Sequence, residues 1–256
     1  MKPTINDPAH RTVNRHAAAG SENDWTKFNP WRAPGSAPVF DACGRAGGSS
    51  HPTSGHGEFT NTTYAKFGDM GSQVLPKMFS GAVWAAGSVQ ETMWTVRSNH
   101  GGGYQYRLCP SGSELTEDCF QQTPLPFAGD SRLMLSNGTV IPISSVFVSD
   151  GTLPLGSAWQ MLPIPSTWNP FAWGNESTSA FQFEPPCFEP ALPAWLASGR
   201  CSGEWTPNIT IYDRVTVPRD LPPGEYVLGL RYDCEASAQV WSSCADIVVT
   251  SNASAL

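Results

Sequence analysis

NITIYDRVTVP (residues 208–218), GEYVLGLRYDC (224–234) and ADIVVTS (245–251) decide the fold class of this chain. Each run is short, rich in β-branched and aromatic residues, and separated from the next by Pro, Gly, Ser or Asp, the pattern of strands joined by turns. Working outward, LMLSNGTVIPI (133–143) reads as a hairpin. Its Asn137-Gly138 pair supplies the two positive-φ positions of a two-residue type I′ turn. Upstream, SQVLPKMF (72–79), SGAVWAAG (80–87), ETMWTVRS (91–98) and YQYRLC (104–109) also read as strands.

The rest of the chain is punctuated by turns. Residues 1–60 are irregular, with NPWRAPGSAPVFDACG (29–44) and GGSSHPTSGHG (47–57) offering turn formers and little periodicity. Residues 110–135 read as a loop with a Pro-containing connector, and residues 150–204 as a long excursion rich in Trp, Pro and Gly. No repeat and no interdomain linker is visible. The expectation is one domain over 1–256, an all-β, immunoglobulin- or fibronectin-like antiparallel β-sandwich with long disulfide-tied loops. Residues 61–250 hold its core and loops.

Composition agrees. Of 256 residues only 14% are charged, whereas Gly (24) and Pro (23) are plentiful and aromatics reach 11%, a mixture poor in long-helix formers. A net charge of -7 lacks the basic footprint of a nucleic-acid binder. No stretch is apolar for long enough to cross a bilayer as a helix. A soluble monomer with neither nucleic acid nor membrane as partner is expected.

Seven cysteines, at 43, 109, 119, 187, 201, 234 and 244, occur without any CxxC pair. That favours a disulfide framework over a zinc site and leaves one thiol over. With five Asn-x-Ser/Thr triplets, at Asn61, Asn137, Asn175, Asn208 and Asn252, the cysteines imply a secreted glycoprotein. Residues 1–24 are nevertheless polar throughout and contain no secretion signal.

Two segments carry the chemistry: SNHGGGYQYRLC (98–109) and QVWSSCADI (239–247). His100 sits on a glycine turn that leaves an imidazole accessible, although a lone loop histidine is more often plain surface. Gln239 and Trp241, two apart on a strand, share a face, and in isolation would be read as core packing. The carboxylates Asp233, Glu235 and Asp246 invite a glycoside-hydrolysis reading, but a structural role suits Asp246 better. Among the tryptophans, Trp25, Trp31 and Trp84 are candidates for stacking on sugars, with core packing as the plainer reading.

Together the two segments, with NPWRAPGSAPVFDACG, resemble the lytic polysaccharide monooxygenases of the chitin-binding type-4 kind, in particular animal and algal members. The resemblance spans roughly residues 70–250. It implies a copper ion held by the amino group and imidazole of an N-terminal histidine together with an internal histidine, which would here be His100. Imidazole and amine nitrogens suit copper. Trp241 falls where relatives carry an axial Tyr or Phe, and Gln239 where they carry a nearby Gln. A polysaccharide surface would be the substrate, with an external electron donor and an oxygen co-substrate. The resemblance further implies a Cys43–Cys244 disulfide and short-loop pairs Cys109–Cys119 and Cys187–Cys201. Pairing Cys234 with Cys244 is the alternative.

Two departures stand against the pattern. Trp241 has no phenolic oxygen, and Met1 is not histidine. His10, His16, His51 and His56 are internal, so their backbone nitrogens are amides. The expectation is that the signal peptide and the brace histidine lie upstream of Met1. The leading function is copper-dependent oxidative cleavage of chitin, cellulose or a related glycan. The alternative is a non-catalytic polysaccharide-binding module of the same fold, and a third reading is a generic secreted adhesion sandwich.

Overall fold

The computed structural model describes residues 29–48, 60–96, 98–135, 138–163, 203–204, 209–235 and 237–251. Twelve strands run in chain order as β1 (Phe79–Ala85), β2 (Val89–Trp94), β3 (Ser98–Asn99), β4 (Gly103–Pro110), β5 (Ser131–Leu135), β6 (Val140–Ile143), β7 (Phe147–Val148), β8 (Trp159–Met161), β9 (Gly203–Glu204), β10 (Ile209–Thr216), β11 (Gly224–Asp233) and β12 (Val240–Thr250). A six-stranded sheet of order β1-β12-β11-β4-β8-β7 packs on a four-stranded sheet β2-β10-β5-β6, and β3 pairs with β9. The all-β sandwich inferred from the strand runs is therefore the fold, with one correction: β1 joins β12 in parallel, so the sandwich is not antiparallel throughout.

The core lies between the sheets. Tyr104, Tyr106 and Leu108 of β4, Tyr226 and Tyr232 of β11, and Ile247 and Val249 of β12 meet Leu133, Ile141, Ile143, Ile211 and Val215. One carboxylate is buried among them. Asp213 of β10 accepts from the hydroxyls of Tyr104 (2.9 Å) and Tyr106 (2.8 Å), from Gln160 Nε2 (3.3 Å) and from Ser131. Burial raises its carboxyl above the ordinary range, against the opposing effect of those donors. These bonds link strands of both sheets across the apolar interior, where unmet polar groups are costly.

The outer face of β4 and β11 is covered as well. Gln105 and Arg107, like Arg231 and Asp233, are fully buried there, beneath the 29–48 segment and a short helix. That helix, α2 (Glu117–Gln121), was expected to be loop. Its signal is visible in retrospect: Thr116 caps it by accepting from the Cys119 N–H, and Glu117 and Asp118 occupy the first turn. Arg231 bonds Glu117 (2.8 Å) and Asp233 (2.7 Å), and Arg107 pairs with the same Glu117. Trp31 (1% exposed) and Trp84 (5%) are core residues, which removes them as sugar-stacking candidates, while Trp25 lies outside the described residues.

One local reading needs correction. SQVLPKMF is not a strand throughout. Residues Gly71–Val74 form one helical turn, α1, whose Ser72 N–H donates to Asp41 Oδ1 (3.1 Å). Leu75 is then extended because Pro76 follows it. In LMLSNGTVIPI the two strands pair antiparallel, with Met134↔Val140 and Leu133↔Ile141 in register, while Asn137, on which the expected type I′ turn rests, lies outside the described residues. In the 150–204 excursion, Trp159–Met161 forms β8, while 164–202, with Cys187 and Cys201, lies outside the described residues. Disulfides join Cys43 to Cys244 and Cys109 to Cys119, leaving Cys234 as a buried free thiol. The pairing that the resemblance implied for Cys43 holds. Two disulfides fit an oxidising, extracytoplasmic compartment. No helix among the described residues is long and apolar enough to cross a membrane.

The charge cluster predicts a particular pH response. Burial pushes the Glu117 carboxyl up, but Arg107 and Arg231 together pull it below its ordinary 4.5. A depressed carboxyl contributes stability above its unfolded value that is lost as pH falls through the folded one. Glu117→Gln leaves the buried Arg107 without a carboxylate and Arg231 with Asp233 alone, so urea unfolding at pH 7 should show a loss of about 3–5 kcal/mol. The difference should begin to shrink as pH falls past 4.5 and close only below the lowered folded value, where the parent's Glu117 is protonated as well.

Candidate functional site

The two segments singled out in the sequence meet at one end of the sandwich, where β4 begins, β11 ends and β12 begins. The approach to β4 runs through Asn99, His100 and three glycines. Gly101 and Gly102 have φ of 64° and 80°, which L side chains resist. A Cβ on Gly102 would sit 2.1 Å from the Asp233 carbonyl oxygen, and one on Gly103 would sit 2.2 Å from that of Gln160. The glycines are required because the chain passes directly against the backbone of β11 and β8.

This close passage holds His100 at two points and Gly101 at a third. Its N–H donates to the Tyr232 hydroxyl (3.1 Å), and that hydroxyl donates to the Gly101 carbonyl (2.7 Å). The Glu235 N–H donates to the His100 carbonyl (3.2 Å). The half-buried imidazole has its pKa lowered from 6.5 by burial, so at pH 7 it is neutral, the form that ligates metals. The hairpin end is tied down from the outer layer too: Trp31 N–H donates to the Cys234 carbonyl (3.2 Å) and Asn29 Nδ2 to the Glu235 carbonyl (2.7 Å).

Gln239 and Trp241 stand on the returning arm of the same hairpin. Trp241 is the register partner of Tyr232, and the Gln239 carbonyl accepts from the Cys234 N–H (3.2 Å). The two side chains share a face, as their spacing predicts, and the Trp241 indole N–H donates to Gln239 Oε1 (3.1 Å). Core packing is not their role, since Trp241 is 44% exposed and Gln239 is exposed. Residues 247 and 249 of β12 point into the core, and 241 has the same parity, so Trp241 continues the core face into solvent.

Two of the acidic candidates are occupied structurally. Asp233 binds Arg231 and accepts from the Gly35 N–H (2.8 Å). Asp246 Oδ2 accepts from the Met78 N–H (2.7 Å), beside its strand partner Phe79. Sequence reasoning missed Tyr232 and Asn29. Both act through side-chain hydrogen bonds to distant backbone, and no local pattern announces such bonds.

Among the described residues no group of three His, Cys, Asp or Glu side chains is placed to hold a metal. His100 is the one described histidine, because His10, His16, His51 and His56 lie outside the described residues. Trp241 offers no lone pair, and its N–H is already engaged by Gln239. The described residues offer copper one imidazole and do not by themselves fit the ion.

No protein-family model and no curated protein sequence matches this chain. Among solved structures it is similar to a lytic polysaccharide monooxygenase AA15 from Thermobia domestica in the Cu(I) state, at 15% identity and a TM-score of 0.31. That match covers 66% of this chain and 62% of the other, so the chain spans under two thirds of that structure's length. A family 123 glycoside hydrolase from Clostridium perfringens matches at 10% identity over 67% of this chain and 23% of its own, with a TM-score of 0.22. A structure of the fibronectin-binding AAF fimbriae of enteroaggregative Escherichia coli matches at 12% identity over 65% and 92%, with a TM-score of 0.21.

The Tyr232 hydroxyl is the testable joint of this site. Tyr232→Phe keeps the ring and strips two buried backbone groups of their partner, a change worth about 1–3 kcal/mol. It should also loosen the burial of His100. Histidine resonances followed by NMR through a pH titration should show the His100 pKa rising toward 6.5 in the variant. An unchanged titration would mean that the hydroxyl does not set the position of the imidazole.

Proposed function

We propose that this protein acts on an extracellular polysaccharide and that the end of the sandwich bearing His100, Gln239 and Trp241 is the face it presents. One observation carries the reading: two segments 130 or more residues apart in sequence, each with a residue type suited to this role, are joined there through Tyr232. An exposed indole whose N–H is held by its neighbour is a ring of settled orientation. Flat apolar rings suit the faces of pyranose sugars, and their burial is the dominant gain at such surfaces.

The finer reading is copper-dependent oxidative cleavage of chitin, cellulose or a related glycan. It requires nitrogen ligands beyond the described residues, with His100 as the ligand that the described part contributes. The second reading, a polysaccharide-binding module without catalysis, is favoured by the solvent-exposed Trp241–Gln239 pair, which serves binding without any metal.

Copper titration followed by calorimetry and electron paramagnetic resonance separates the two, run beside pull-down on chitin and cellulose. Under the oxidative reading a type-2 copper signal appears and is lost in His100→Ala. Under the binding reading copper is not retained, yet the polysaccharide is. In both, Trp241→Ala should weaken polysaccharide binding, because losing a buried ring costs about 1.5–3 kcal/mol, roughly tenfold to a hundredfold in Kd. A folded protein that holds neither copper nor polysaccharide would overturn both readings and leave the adhesion sandwich.

A further inference from the structure

Of the five Asn-x-Ser/Thr triplets, Asn61-Thr62-Thr63 lies wholly within the described residues. We propose that Asn61 carries an N-linked glycan, attached at its side-chain Nδ2. The proposal does not depend on copper or on the polysaccharide reading.

Asn61, Thr62 and Thr63 are all exposed and lie outside any helix or strand, as a site bearing a bulky hydrophilic group must. The side chain of Asn61 is already oriented. The Phe67 N–H donates to its Oδ1 (2.8 Å), while Nδ2 donates to no described residue. Attachment replaces one Nδ2 hydrogen and leaves Oδ1 an amide oxygen, so the bond from Phe67 survives modification.

The two threonines divide the remaining work. Thr62 holds the turn: its Oγ1 accepts from the N–H groups of Tyr64 (3.2 Å) and Ala65 (3.1 Å), and its own N–H donates to the Ala65 carbonyl (2.9 Å). The Thr63 hydroxyl, which completes the triplet, takes no part in those bonds. The loop rests on the 43–48 segment through Ala46 N–H to Asp69 O (2.9 Å), Gly68 N–H to Ala46 O (2.8 Å) and Arg45 Nε to Gly68 O (2.9 Å). That segment is stapled to β12 by Cys43–Cys244. The acceptor therefore stands on a braced loop, and the disulfides put the chain in the compartment where glycan transfer occurs. The transfer needs an oligosaccharide linked to a polyprenyl diphosphate. The Nδ2–H bond breaks and its proton leaves to a base. A bond from Nδ2 to the sugar C1 forms, and the C1–oxygen bond to the diphosphate breaks, releasing the lipid diphosphate.

The test is translocation of the full chain, behind a cleavable leader, into eukaryotic microsomes. Only the protease-protected, disulfide-bonded fraction is scored, with enzymatic deglycosylation in heavy-oxygen water marking each released Asn as labelled Asp. The peptide containing Asn61 should carry the label, and Asn61→Gln and Thr63→Ala should each remove one glycan step from the intact mass. Thr63→Ser should restore it, whereas a purely structural defect at Thr63 would not be reversed in this way. Thr63→Ala also keeps the Asn61–Phe67 bond, so loss of the glycan there is separable from loss of the loop. An unlabelled Asn61 in the protected fraction overturns the proposal.

Discussion

Arg231 is a guanidinium in the middle of a β-strand with no exposure to water, and the outer half of this molecule is assembled around it. Its Nε and Nη2 hold Asp233, its Nη1 holds Glu117 of α2, and the Ala37 carbonyl accepts from Nη2 at 2.9 Å. A buried charge is tolerated only when its partners are in place. The irregular 29–48 segment and the short helix α2 are thus obliged to lie where they do. Trp159 of β8 closes the arrangement, with the guanidinium 5.8 Å from its ring centroid.

On the opposite face of the same strands the problem is solved with a single carboxylate. Tyr104 and Tyr106 of β4 bring two hydroxyls into a largely apolar interior, and Asp213 receives both. Burial raises the pKa of each tyrosine well above 10.0, reinforced by the neighbouring Asp213, so both remain hydroxyl donors at all ordinary pH. β4 and β11 are consequently buried on both faces, one sealed by a charge cluster and the other by tyrosines around an acid. Strands gripped in this way have little freedom to shift register.

That rigidity is what the site end inherits. Past Asp233 the hairpin leaves the sheet, yet Cys234 and Glu235 are held by Trp31 and Asn29 from the outer layer. The glycine approach to β4 is pressed against the same turn with no room for a Cβ. His100 and Trp241 reach solvent from a platform whose backbone is bonded on every side. Binding surfaces gain from such preorganisation because little ordering remains to be done when a partner arrives.

The strand runs of β10, β11 and β12, the pairing of Gln239 and Trp241 on one face and the glycine turn at His100 were all legible in the chain, because each follows from local periodicity, residue type or backbone sterics. The all-β class follows from the same local rules. Other features were decided only by the tertiary structure. The parallel seam of β1 on β12 joins segments too far apart for any local signal, and Pro76 with the Asp41–Ser72 bond turned an apparent strand into a helical turn. Trp31 and Trp84 entered the core while Trp241 stayed in water, although sequence alone treats the three rings alike. Burial is a property of what packs against a residue in three dimensions, and no local pattern records it.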